Sequence, residues 1–298
     1  IVLSVAILPL LGIGGAQMIK AETSGPMKEQ KLTPRIADTA KALYLIYFGI
    51  SFACAVAYHL AGMEWKDAIM HMMTTVSLSG ISAHDSSYAF FHSALIDYVA
   101  VFFMAICGFN FSLHFLAWNK RNIFFYFKDP EAVSWLGTLL LLCAVTFLVI
   151  SLKGTYAHWE DNLRYALFTV VSVASTTGFA DTNYANWPQG LPILLMIAAA
   201  FATCAGSTGG GIKQIRLLIL SRQLKRELTL LLYPKAAVPL RIGQVVIDNK
   251  ISFAVLVYVM VWIATYITGI VLLLLSGMAT TEALSAPFAM LTNLGPGL

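Results

Sequence analysis

The chain has 298 residues, of which 58% are hydrophobic and only 11% charged, with a mean hydropathy of +0.76 and a net charge of +4. Soluble globular domains carry about 25% charged residues, so a chain of this size cannot cover a water-facing surface. The composition excludes a soluble domain and indicates an integral membrane protein, and so small a basic excess requires no nucleic acid.

Six apolar stretches follow one another: Ile1 to Met18, Ala42 to Gly62, Ala94 to Ala117, Val133 to Leu152, Leu191 to Leu220 and Ile251 to Ser276. Each approaches or exceeds the roughly 20 residues that a helix needs to cross a bilayer. The strict alternation of a membrane β-barrel, in runs of about 10 residues, is absent. No basic region precedes Ile1, so the first stretch does not read as a signal peptide. The chain starts inside an apolar segment and stops three residues after Gly295, which reads as a piece of a longer protein.

Between these stretches lie shorter apolar runs, three of which end alike: Ser77-Leu78-Ser79-Gly80-Ile81, Ser175-Thr176-Thr177-Gly178-Phe179 and Thr292-Asn293-Leu294-Gly295-Pro296. Each has a hydroxyl residue three places before a glycine. Twelve places before that glycine stands an alanine (Ala68, Ala166, Ala283), followed by Ile69, Leu167 or Leu284. Acidic residues mark each run's start: Glu64 and Asp67, Glu160 and Asp161, Glu282. They suit a helix N-terminus. The spacing predicts short helices of about 12–14 residues, and 12 residues rise only about 18 Å. Such a helix enters the membrane and returns.

Non-helical backbone at membrane depth is tolerated only where it is buried in protein or lines a water-filled path. There its carbonyls replace an ion's hydration shell, and glycine reaches the dihedrals that the return requires. The helix C-terminus, partly negative, favours a cation. Three hairpins with only a packing role are the alternative; their shared register favours an ion path.

A second glycine cluster, Gly206-Ser207-Thr208-Gly209-Gly210-Gly211-Ile212-Lys213, interrupts the run from Leu191 to Leu220. A phosphate-binding loop needs lysine directly after its last glycine and then Ser or Thr; Ile212 and Gln214 break that pattern. Each glycine disfavours helix by about 1 kcal/mol relative to alanine, so the helix should break here, above a cavity. Lys213 is costly in hydrocarbon and needs water, a carbonyl or a carboxylate. The cluster is read as a flexible gate beneath the glycine loops.

Orientation follows from the basic residues. The connections Lys20–Lys41, Asn119–Lys128 and Lys213–Lys250 hold 16 of the 19 Lys and Arg, leaving Lys66, Lys153 and Arg164 on the other side. The basic side is cytoplasmic, and the three glycine loops then face outward. Arg222, Lys225 and Arg226 suit anionic lipid heads, a cytoplasmic partner or a solvated helix end equally. Cys54, Cys107, Cys143 and Cys204 are single packing residues without metal spacing. His84-Asp85 and His92 lie close in one loop but are weak evidence for a metal site, and Asp97 reads as a hydrogen-bonding residue near an outer helix end. No enzyme constellation is visible.

GSTGGGIK (206–213), STTGF (175–179) and TNLGPG (292–297) together resemble the Trk/Ktr/HKT superfamily of potassium transporters, closest to its bacterial members. LPLLGIGG (8–15), KLTPRIADTAKAL (31–43) and VSLSGISAHD (76–85) fit the same family, so the likeness covers essentially the whole chain. The resemblance implies an all-α membrane protein of repeated helix–pore helix–filter loop–helix units, pseudo-fourfold like a potassium channel. It implies the end of a first unit at 1–20, a second unit at 36–122, a third at 131–232 with a broken second helix, and a fourth at 250–298 cut after its filter loop.

It further implies a filter of Ser77, Leu78, Ser79 and Gly80, of Ser175, Thr176, Thr177, Gly178 and Phe179, and of Thr292, Asn293, Leu294 and Gly295. Potassium would be held by the backbone carbonyls of Ser79, Gly80, Thr177, Gly178, Leu294 and Gly295, and gated by Gly206 to Gly211 with Lys213. A bacterial inner-membrane location, a homodimer, surrounding membrane lipid, a cytoplasmic nucleotide-binding regulatory ring and no organic cofactor are implied as well. The chain departs from the family at Leu78 and Ser79, where Ser-Thr-Gly-Gly is commoner, and the first filter strand is absent from it. Gated potassium uptake is the first reading. A potassium symporter coupled to H+ or Na+ is the second, although its repeats are often inverted; a non-conducting scaffold is the third.

Overall fold

The structure is a computed structural model that describes residues 36–188, 190–201 and 203–295. The expected first-unit segment 1–20, the basic stretch from Lys20 to Arg35 and the residues after Gly295 lie outside the described residues. In chain order the helices are α1 Ile36–Leu60, α2 Trp65–Val76, α3 Ala94–Cys107, α4 Phe111–Asn119, α5 Phe125–Lys128, α6 Pro130–Leu152, α7 Trp159–Ala174, α8 Gly190–Phe201, α9 Gln214–Leu232, α10 Asn249–Leu275 and α11 Thr280–Thr292. Among them, Lys41–Leu60, Pro130–Leu152 and Asn249–Leu275 are long and apolar enough to cross a membrane. The chain is a multi-pass helical membrane protein.

Local chemistry sets the ends of these helices. Asp129 accepts a hydrogen bond from the Ala132 amide at 2.8 Å and Pro130 opens α6, a capping carboxylate followed by a residue with no donor to lose. Asp248 caps α10 through the Lys250 amide at 3.2 Å. A small antiparallel hairpin, β1 Arg241–Ile242 with β2 Val245–Val246, connects α9 to α10. It was not legible in a sequence read as all-α. Leu240, Ile242 and Ile247 bury against Ile215, Ile219 and Val255.

The three short helices α2, α7 and α11 have 12, 16 and 13 residues, the second longer than expected. Each packs on the long helix that precedes it: α2 on α1, α7 on α6 and α11 on α10. Ala68, Ala166 and Ala283 are completely buried, a position where a small residue suits helices in close contact. The shared alanine therefore marks a packing constraint repeated in three places.

One expectation fails. The apolar stretch from Ala94 to Ala117 is not one spanning helix; it bends by 91° between α3 and α4. Gly108 sits against the Trp135 indole, and a Cβ there would lie 2.6 Å from the ring. Asn110 leaves the helical region and its side chain caps α4 through the Ser112 amide at 2.8 Å. The backbone groups that the bend frees find partners in the break between α8 and α9: Cys204 N–H donates to Gly108 O at 3.0 Å and Phe111 N–H donates to Gly206 O at 3.1 Å. Hydropathy cannot show this bend, because the run stays apolar through it.

Gly108→Ala forces a methyl into the Trp135 ring, and overpacking of this kind costs about 1–3 kcal/mol. The variant should melt at a lower temperature than the parent in detergent. Trp135→Leu in the same chain should recover part of the loss. Equal melting temperatures would contradict the close contact.

Candidate functional site

The three short helices end in the same way. In the first, Leu78 N–H donates to Thr75 O at 3.2 Å and Ser79 N–H donates to Thr74 O at 3.0 Å. In the second, Thr176 N–H donates to Val173 O at 3.0 Å and Thr177 N–H to Ser172 O at 2.9 Å. In the third, Asn293 N–H donates to Met290 O at 3.2 Å and Leu294 N–H to Ala289 O at 2.9 Å. This is the Schellman arrangement, in which a left-handed residue reverses the chain and satisfies carbonyls that the helix end would orphan. The left-handed residues are Leu78, Thr176 and Asn293, with φ of 53°, 58° and 58°.

Two places further on, φ is positive again: +66° at Gly80, +86° at Gly178 and +90° at Gly295. Ser79, Thr177 and Leu294 between them are not in that region. In an ordinary strand successive peptides face opposite ways. Reversing the sign of φ at alternate residues is what allows neighbouring carbonyls to face one side. The departures at Leu78 and Ser79 leave this pattern intact. Leu78 takes the left-handed position with its side chain buried, and Ser79 falls where no glycine is needed.

The hydroxyls three places before each glycine serve the helix ends. Ser77 Oγ donates to Met73 O at 2.8 Å, Ser175 Oγ to Ser172 O at 3.3 Å and Thr292 Oγ1 to Phe288 O at 2.9 Å. Ser77 and Ser79 also pair through their hydroxyls at 3.0 Å, as Ser175 and Thr177 do at 2.6 Å.

The first two loops lie side by side. A Cβ added at Gly80 would overlap the Thr177 carbonyl oxygen. Tyr88 N–H donates to Ala180 O at 2.9 Å, and Ser172 Oγ donates to Phe179 O at 2.7 Å. Around them stands an aromatic collar. The Tyr88 ring is 4.5 Å from Phe179 and 5.2 Å from Phe168, and its hydroxyl donates to Tyr58 at 2.7 Å. Tyr58 in turn shares a 2.7 Å hydrogen bond with Thr75.

The second glycine cluster lies directly against all three helix ends. Between α8 and α9 the chain leaves the helix, as the sequence predicts. Thr208 Oγ1 donates to Val76 O at 2.9 Å, and Gly210 N–H donates to Thr176 Oγ1 at 2.7 Å. A Cβ at Gly209 would lie 2.8 Å from Ser175 O, and one at Gly210 would overlap the Thr292 carbonyl oxygen. Only glycine permits this approach. Ser207 lies inside the loop, where its Oγ accepts from Lys213 Nζ at 3.3 Å. Lys213 also donates to Gly209 O, the carbonyl partner that an intramembrane lysine requires.

Several residues at the site carried no motif. Asn110 stands against Gly206, and Glu131 Oε1 accepts from Ala205 N–H at 2.6 Å and Ile215 N–H at 3.0 Å. Asp97 is buried with Arg164 Nε at 3.8 Å, and Arg164 also reaches Asp161 at 3.4 Å. Burial raises the neighbouring Asp181 carboxyl above its ordinary range, and Arg164 opposes that shift. His84 pairs with Asp67 at 3.2 Å rather than with His92. No cluster of three metal-ligating side chains occurs among the described residues.

The family of TrkH cation transport proteins matches residues 1–298. The chain is 42% identical over 298 residues to the Trk system potassium uptake protein TrkH of Halomonas elongata, covering 100% of this chain and 62% of that protein. It is 40% identical over 298 residues to the protein of the same name from Escherichia coli, with the same coverage. The crystal structure of the potassium transporter TrkH from Vibrio parahaemolyticus superposes with a TM-score of 0.87 at 40% identity, over 100% of this chain and 60% of that one. The chain thus spans less than two thirds of the length of these relatives.

Thr176→Val removes the acceptor of the Gly210 amide, and an orphaned buried donor costs about 1–3 kcal/mol. Amide exchange across residues 206–211 should accelerate in Thr176→Val and remain near the parent in Thr176→Ser. Equal exchange in both would remove Thr176 as a tie between the two loops.

Proposed function

The chain belongs to the TrkH cation transport protein family, and we propose that it forms the greater part of a gated, selective potassium pathway through the bacterial inner membrane. One observation carries this reading. Three helix ends, built with the same hydrogen bonds and the same alternation of φ, meet at one glycine loop. Carbonyls presented by such loops take the place of water around a cation, and the helix C-termini add negative potential where it sits. The permeant ion is assigned to the carbonyls of Ser79, Gly80, Thr177, Gly178, Leu294 and Gly295. Potassium is preferred because the relatives carry potassium uptake in their names.

In this reading residues 36–122, 131–232 and 250–298 are successive pore units. The stretch from Gly206 to Gly211 with Lys213 is the gate. It lies against the ends of α2, α7 and α11, where it obstructs passage until it moves. A homodimer and a cytoplasmic TrkA-like nucleotide-binding ring complete the proposed assembly, the ring acting on the basic face. Transport follows the potassium gradient without obligatory coupling to H+ or Na+, since the three units repeat with one orientation by their charge pattern.

In liposomes holding the intact protein, Gly178→Ser and Gly295→Ser should each abolish rubidium uptake while assembly is retained. Deleting Gly206 to Gly211 should raise resting flux. Reversal potentials should follow the potassium gradient and ignore imposed proton and sodium gradients. A reversal potential that moves with either of those gradients would establish the symporter instead, and normal uptake in both serine variants would remove the filter assignment.

A further inference from the structure

We infer that Glu131 is the anchor that holds the glycine loop in its obstructing position, a positioning residue at the base of the gate; this rests on the reading of Gly206 to Gly211 as that gate. Glu131 is 5% exposed and stands in the first turn of α6. Its Oε1 accepts from two amides at once, Ala205 N–H at 2.6 Å and Ile215 N–H at 3.0 Å. These amides bracket the loop. Ala205 immediately precedes Gly206, and Ile215 lies in the first turn of α9. A single oxygen atom therefore ties the two ends of the loop together.

Both amides need that oxygen. The Ile215 N–H is one of the helix N-terminal donors that no intrahelical carbonyl reaches, and the Ala205 N–H lies in the break between α8 and α9. The carboxylate also faces the partly positive end of α9. Backbone bonds also hold the base, from Phe111 N–H to Gly206 O at 3.1 Å and from Gln214 N–H to Thr203 O at 2.8 Å, but neither of them engages the Ala205 or Ile215 amide; further ties act on the rest of the loop. Gly210 and Thr208 bond to Thr176 and Val76 at the ends of the short helices, and Lys213 folds onto Ser207 and Gly209 within the loop itself. Positive φ at Gly206, Gly211 and Lys213 gives the loop a shape that its base must hold. With the Glu131 tie released, the base keeps only its backbone bonds, among them Phe111 N–H to Gly206 O and Gln214 N–H to Thr203 O, and the obstruction is lifted for a larger fraction of the time.

Glu131 also places the gate within reach of the cytoplasmic connection. Residues 120–129 join α4, whose first amide bonds Gly206, to α6, which carries Glu131. A displacement of that connection is felt at both ends of the loop.

The test uses the intact protein in liposomes and reads resting rubidium flux for the parent, Glu131→Ala, Glu131→Gln, the Gly206–Gly211 deletion, and the deletion combined with Glu131→Ala. Glu131→Ala removes both hydrogen bonds and should raise resting flux at least about tenfold, the population shift that the loss of even one of them produces in a two-state loop. Glu131→Gln, which keeps a neutral acceptor, should raise it less. Glu131→Ala should add nothing in the deletion background. A deletion that leaves flux unchanged overturns the gate itself. A deletion that raises flux, with both Glu131 variants at or below the parent level, overturns the anchor alone. So does an undiminished effect of Glu131→Ala in the deletion background. Should Glu131→Ala fail to assemble, the isosteric Glu131→Gln decides by the same two comparisons.

Discussion

A backbone that leaves the helix inside a bilayer must find a partner for each N–H and C=O without water. The rest of this structure depends on how that demand is met at the ends of α2, α7 and α11. Each end uses a left-handed turn with two backbone bonds, then a second residue of positive φ. The geometry has a cost at Thr176, a β-branched residue for which a positive φ is a genuine outlier. Three features offset it: complete burial, the Schellman bonds, and a hydroxyl that receives the Gly210 amide.

The same constraint explains why the glycine loop between α8 and α9 and the ends of α2, α7 and α11 are one assembly. The break between α8 and α9 exposes backbone groups, and its nearest source of partners is the set of helix ends beside it. The bend between α3 and α4 exposes more, and these pair with Cys204 and Gly206. Two interrupted helices and three helix ends thus satisfy one another. In the proposed gate, movement of the glycine loop would exchange some of these bonds for contacts with water. Glu131 and Lys213 are each engaged by backbone at or beside the loop, Glu131 by the Ala205 and Ile215 amides and Lys213 by the Gly209 carbonyl.

The turns at Gly80, Gly178 and Gly295 and the break between α8 and α9 were legible in the sequence because both depend on glycine, repeated in register in the first case and clustered within six residues in the second. The alanine shared by Ala68, Ala166 and Ala283 was legible as a repeat, although its reason, close helix packing, needed the fold. The bend at Gly108 was hidden because an apolar run gives no periodicity to interrupt. Leu78 and Thr176 gave no hint of left-handed backbone, since neither residue favours it. Glu131 belongs to no motif; the amides it accepts from lie 74 and 84 positions away in the chain. Pairings over such distances leave no local pattern.

The central claim is that the carbonyls of the three loops hold a permeant cation. The most direct test is a structure of the intact protein soaked in rubidium, read by anomalous scattering. Peaks should lie on an axis bounded by the carbonyl oxygens of Ser79 and Gly80, Thr177 and Gly178, and Leu294 and Gly295, and should fade when potassium replaces rubidium. Ordered loops without a peak between them, or peaks confined to other parts of the molecule, would contradict the account.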